Sequence, residues 1–297
     1  MVTIKPGSMM NATMVKTTFL SAATVAIGLT FGFPNLNAAK PEDLIHIHSG
    51  GIPVVISAPH GGNLPIPDGE RSTEGTTVRD LHTKEIALEL ARLLEEELGA
   101  KPYYAIARFS RRYVDANRGP GFRPQEAFSG PNSQRVYQAY HRALRSHVDE
   151  VRETFGSGLL IDLHGQSRFP DQIIRGTVGG LTVKALLETH GLEALIGPNS
   201  VFGHLHAHGF TVEPPVENAP ESPADEVHFV GGYIVRAYGS HRENGIDSIQ
   251  IELGRDYRQP GQRDKTTAAL AQAIAAHVNH FLSTESAPAE AGAAMAR

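Results

Sequence analysis

The chain has 297 residues, 40% of them hydrophobic and 20% charged, and its net charge of −5 gives no basic footprint for nucleic acid or an anionic membrane surface. It has no cysteine, which excludes disulfides and thiolate zinc sites; with 15 histidines, a metal would rest on imidazole and carboxylate ligands. An anionic substrate would need a local arginine cluster.

Residues 1–39 read as an export signal. Lys5 and Lys16 precede the apolar run TTFLSAATVAIGLTFGF, and small residues near Ala38 and Ala39 suit cleavage, with Met9, Met10 and Met14 as alternative starts. The run includes Ser, Thr and Gly and is short for a membrane span, so a periplasmic or secreted protein is expected rather than an anchored one. No integral membrane domain is expected after cleavage, and the oligomeric state is not legible.

From 40 to 283 strand-like and helix-like segments alternate, as in one α/β domain with a mostly parallel sheet between helices. IPVVISA predicts a strand, and residues 80–99 a helix with Ile86, Leu90, Leu93 and Leu94 on one face and Gly99 as its stop. YYAIARF predicts the next strand. A long helix then carries Val136, Tyr140, Leu144, Val148, Val151 and Phe155, closed by Gly156. LLIDLHG and DSIQIELGR are two further strands, and KTTAALAQAIAAHVNHFL is the last helix. Residues 191–245, rich in Gly, Pro, Asn and His, predict functional loops, and the Pro/Ala-rich tail 284–297 predicts disorder.

Strands covered on both faces should be continuously apolar, yet three of these break the rule at their carboxyl ends. The first runs into His60; LLIDLHG puts Asp162 and His164 on one face; SIQIEL puts Gln250 and Glu252 on the face opposite its aliphatic residues. Buried imidazoles and carboxylates cost several kcal/mol unless paired or metal-bound. Ligands of open α/β sheets bind beyond the strands' carboxyl ends, where His60, His164 and Glu252 would meet if their strands are neighbours. Two imidazoles and a carboxylate with one position left for water make a catalytic zinc site. Asp80 is a candidate third ligand, and a helix cap suits it equally well. Glu70 and Glu74 remain alternatives, and Asn63 is a poor one because a neutral amide seldom binds zinc.

RFSRRYVDANRGPGF crowds Arg108, Arg111, Arg112 and Arg118 beside Asp115 and Asn117. A planar guanidinium grips a carboxylate with two parallel hydrogen bonds, so Arg118 and Arg112 are candidates for a substrate carboxylate, the alternative being ion pairs with Asp115 and other acids. His241, upstream of the Glu252 strand, is a candidate substrate contact. His204, His206 and His208 alternate as they would on a strand face and are a weaker second metal candidate.

The set SAPHGG, VDANR, YHRAL, LLIDLHG, GGYIVRAYG and IQIELGR, in that order over about two hundred residues, resembles the N-formylglutamate amidohydrolase family, relatives of zinc carboxypeptidases and of the aspartoacylase and succinylglutamate desuccinylase group. The resemblance implies a three-layer α/β/α fold with a mixed sheet and one Zn2+ ion. It implies that His60 and His164 bind zinc, that Glu252 is the general base, and that Asn117 with Arg118, and Arg112, holds a substrate carboxylate. Asp162 would orient a ligand histidine from behind. The carboxypeptidase-like relatives have a glutamate three residues after the first histidine, where this chain has Asn63, which brings in Asp80. The expected activity is zinc-dependent hydrolysis of an N-acyl, notably N-formyl, acidic amino acid. Alternatives are an exported carboxypeptidase-like peptidase or acidic-polymer hydrolase and, outside enzymes, a protein that binds a metal or acidic ligand.

Overall fold

The computed structural model describes residues 40–121, 123–216 and 226–282; the expected signal peptide and tail lie outside these residues. In chain order the elements are β1 (Ile45–His48), β2 (Val54–Ala58), α1 (Thr83–Leu98), β3 (Tyr103–Ala107), α2 (Pro131–Phe155), β4 (Leu159–Gln166), β5 (Ile173–Gly176), α3 (Lys184–His190), α4 (Glu193–Ile196), α5 (Val201–Ala207), β6 (Val212–Glu213), α6 (Tyr233–Tyr238), β7 (Asp247–Gly254) and α7 (Arg263–His277). The strands form one sheet in the order β1-β3-β2-β4-β7-β5-β6. Its centre is parallel, with β1 antiparallel to β3 and β5 antiparallel to β7, so the sheet is mixed and mostly parallel between two helical layers.

Residue parity assigns the layers. Val54 and Ile56 of β2, Leu159, Ile161 and Leu163 of β4, and Ile249, Ile251 and Leu253 of β7 pack with α1, α5 and α7. The opposite parity faces α2 and α6, with Val55 and Leu160 in that second core. Farther along the same face the pattern turns polar: Ser57, Asp162, His164, Gln250 and Glu252 are all buried. The register sets Ser57 beside Asp162, Asp162 beside Gln250, and His164 beside Glu252. A polar stripe therefore runs across three adjacent strands towards their carboxyl ends.

The expected strands and long helices form. Gly99, with φ +80°, ends α1 as the sequence predicts. Residues 191–245 correct the loop expectation, since α4, α5, β6 and α6 fall there. The segment GHLHAHG forms helix rather than alternating strand: the His204 and His208 rings, one helical turn apart, stack at 4.6 Å. Among the described residues the one potential metal cluster lies elsewhere.

Candidate active site

His60 stands two residues past β2, in a loop that doubles back under α1. A Cβ on Gly61 would lie 2.4 Å from the Lys84 backbone nitrogen, and one on Gly62 2.3 Å from the Phe109 carbonyl oxygen, so only glycine lets the chain turn so closely behind the imidazole. The long loop returns when the Asp80 N–H donates to the His60 carbonyl at 3.1 Å. Asp80 then points its carboxylate inward instead of capping α1. Its Oδ2 accepts from the Gly165 N–H at 3.2 Å and meets His164, near the end of β4.

Three ligand-type atoms converge. His60 Nδ1 and His164 Nδ1 are 3.1 Å apart, and each lies 3.3 Å from Asp80 Oδ2. The far nitrogen of each ring faces another carboxylate: His60 Nε2 to Asp115 Oδ1 at 2.7 Å, and His164 Nε2 to Asp162 Oδ2 at 2.9 Å. A carboxylate can only accept, so each Nε2 carries a hydrogen and each ring turns its Nδ1 inward. Three buried lone pairs facing one another repel unless a proton or a cation stands between them. Ligand atoms around a tetrahedral ion with bonds of about 2.0–2.1 Å are about 3.3 Å apart, the spacing found here. These residues could hold a metal ion, and their far nitrogens are anchored as ligand histidines usually are.

The surrounding charges are consistent with that reading. Burial would raise the Asp80 carboxyl, but His60 and His164 outweigh it and hold it well below the usual carboxylate range. Asp115 behaves likewise: burial is opposed by His60, Arg111 and Arg71, and the net direction is down. Burial would make His164 a weaker base, yet Asp162 and then Asp80 raise it well above the ordinary histidine value. The field that favours a proton at this position also favours a divalent cation. Glu252, buried on β7 opposite His164, is pushed up to about 7, chiefly by desolvation. Its Oε1 accepts from Gln250 Nε2 at 3.1 Å.

The other expected residues divide. Asn117 is buried, its Oδ1 accepting from the Ile234 N–H at 2.8 Å and its Nδ2 lying 3.0 Å from His164 Nε2. Arg118 lines the same cleft with its side chain about half exposed. Arg112 is a correction: its side chain is 61% exposed, lies outside the cleft lining and pairs with Glu70 at 3.1 Å. Arg111 turns inward instead, donating to Asp115 at 2.9 Å and lying 3.4 Å from Asp80. His241 is a second correction, because it sits in the turn before β7, at the amino end, whereas Glu252 sits near the carboxyl end. Glu74 and Asn63 are exposed, and neither they nor Glu70 joins the cluster. Sequence reasoning missed Arg111 and Gln250, and it treated Asp115 only as an ion-pair partner. The mirror symmetry of DLH and VDANR, each supplying one carboxylate behind one histidine, is the signal that could have found Asp115.

Comparison with known proteins places this geometry. Residues 130–257 match the N-formylglutamate amidohydrolase family. That span holds Asp162, His164 and Glu252. The N-formylglutamate deformylase of Pseudomonas putida is 26% identical over 247 residues, covering 72% of this chain and 84% of that protein. The Pseudomonas aeruginosa deformylase is 25% identical over 282 residues, covering 81% and 95%. In fold, the chain resembles the crystal structure of N-formylglutamate amidohydrolase from Ralstonia eutropha, with a TM-score of 0.53, 17% identity, and coverage of 79% of this chain and 98% of that one. These relatives are named as hydrolases that act on an amide.

Proposed function

We propose that the protein is a zinc-dependent amidohydrolase that cleaves an N-acyl acidic amino acid, with N-formyl-L-glutamate the first substrate to test. The observation that supports this most is the 3.1–3.3 Å triangle of His60, His164 and Asp80 ligand atoms, with a carboxylate behind each imidazole and Glu252 facing the cleft. Zinc bound there would polarise the scissile carbonyl and lower the pKa of a water towards about 7. Glu252 takes a proton from the attacking water and returns it to the leaving nitrogen as the new C–O bond forms and the C–N bond breaks. Desolvation, the largest influence on the Glu252 carboxyl, raises its proton affinity, which suits a group that must both take up and return a proton. Arg118 grips the carboxylate of the leaving amino acid and so aligns the amide with the reacting centre. Asp162 and Asp115 hold the two imidazoles in the tautomer that presents Nδ1. The leader pattern of residues 1–39 supports export, which N-terminal sequencing of the mature protein would test.

The test combines metal analysis of the purified protein with a hydrolysis screen of N-formyl, N-acetyl and peptidyl derivatives of glutamate and aspartate. Bound zinc and release of free amino acid are expected; a metal-free protein that hydrolyses none of them sinks the proposal. Glu252→Gln should lower turnover about 10²–10⁴-fold while leaving the zinc content unchanged.

A further inference from the structure

The cleft above the triad holds about 690 Å³, in the range of pockets that enclose drug-sized molecules and several times the bulk of one formyl amino acid. Six arginines line it, answered among the lining residues by only two acids, Asp80 and Glu252. Three of the arginines are committed within the protein. Arg111 is held by Asp115 and Asp80, and Arg79 by the Gly61 carbonyl and Glu85. Arg258 donates to the carbonyls of Leu253, Gln166 and Leu81.

The other three are open. Among the described residues the Arg118 guanidinium makes no hydrogen bond and comes no closer to an acid than 4.0 Å, at Asp115. Arg168 makes no hydrogen bond either, its guanidinium carbon lying 5.1 Å from the centroid of the Phe169 ring. Arg255 pairs only with its neighbour Asp256, at 3.3 Å. These groups stand on different sides of the triad. The Arg118 loop is tied to the α2 layer, where the Tyr137 hydroxyl donates to the Arg118 carbonyl at 2.8 Å. Arg168 follows β4 and Arg255 follows β7, and their loops are joined by the Asp256 N–H donating to Pro170 at 2.9 Å. That pair of loops lies towards the opposite layer, where Tyr257 packs against Phe210 at 5.1 Å.

We propose that the cleft takes an amide whose acyl part is itself acidic, with Arg118 holding the carboxylate beside the leaving nitrogen and Arg168, backed by Arg255, holding a second anionic group on the acyl side. This rests on the amidohydrolase reading of the same site. A formyl group has no charge and no reach, and would leave Arg168 and Arg255 facing water. A dicarboxylic acyl chain fills that space and offers the planar guanidinium a matching carboxylate. Because the site is open, the gain is modest, on the order of tenfold.

The probes are N-succinyl-L-glutamate and N-butanoyl-L-glutamate, which differ in the acyl-chain carboxylate. The zinc-loaded protein should favour the succinyl compound about tenfold in kcat/KM, mainly through KM. Arg168→Gln should lower kcat/KM about tenfold more for the succinyl than for the butanoyl compound, and Arg168→Lys should restore part of the difference. An equal preference in the wild type and Arg168→Gln overturns the inference while the amidohydrolase reading stands. If neither compound is hydrolysed, calorimetric binding to the Glu252→Gln protein still decides. Tighter binding of the succinyl compound, lost when Arg168→Gln is added, sustains the anion site; equal binding of the two removes it.

Discussion

His164 and His277 are both almost wholly buried, one at the carboxyl end of β4 and the other in α7, and their surroundings drive them in opposite directions. His164 has Asp162 two residues earlier on the same strand face and Asp80 on its other nitrogen, and its basicity rises despite burial. His277 has alanines before it, a Phe281 ring 4.9 Å away and no hydrogen-bond partner on either nitrogen among the described residues; burial lowers it to about 3. Burial alone therefore does not make a ligand. Two carboxylates suit a ring to that role, by fixing the tautomer and making the site hospitable to positive charge.

The sharpest way to break this contrast is to delete each ring. His164→Ala should abolish stoichiometric metal binding and with it hydrolysis, whereas His277→Leu should keep both. Metal content after dialysis, read beside turnover, checks this. A metal-loaded His164→Ala protein would mean that the triangle is not the ion's seat. A smaller change tests the carboxylate's part. Asp162→Asn leaves a neutral amide that no longer favours positive charge behind His164, and should weaken metal affinity about 10–100-fold, read by competition with a chromophoric chelator. An unchanged affinity would show that the i−2 aspartate serves only the Ser57 and His164 hydrogen bonds.

Much of this was legible in the sequence because strands buried on both faces must be apolar, so that any polar residue stands out. His60, His164, Asp162 and Glu252 stood out as candidates for that reason, whereas Asp80, in a loop outside every strand, entered only because Asn63 stands where the carboxypeptidase-like relatives have a glutamate. Arg112 was misread because loops have no periodicity to show which of two adjacent guanidinia turns inward. That is decided by distant bonds, such as Arg71 Nε donating to the Arg111 carbonyl at 3.0 Å. His241 was misread because it comes shortly before the strand that bears Glu252, and the strand itself separates them. From Asp247 to Glu252 the chain advances roughly 16 Å at about 3.3 Å per residue. The edge strands β1 and β6 are four and two residues long, too short to register as a pattern.

The smallest effect concerns stability rather than chemistry. His277 has a folded pKa of about 3 against an unfolded value of about 6.5, so between those limits the unfolded chain binds more protons. Its contribution is intact above about pH 6.5 and is lost progressively as pH falls towards 3. At pH 5 the loss is on the order of 2 kcal/mol, from about 1.4 kcal/mol per pKa unit over the interval below 6.5. Replacing His277 by leucine removes the protonation site while keeping the helix packed. Urea midpoints at pH 7.5 and pH 5 should therefore fall less steeply for His277→Leu than for the wild type. His164 should not show this behaviour, because a ring whose proton or cation is stabilised by carboxylates gains nothing from deprotonating on folding. Equal pH slopes for His277→Leu and wild type would mean that the α7 histidine finds a partner after all, and the contrast between the two rings would collapse.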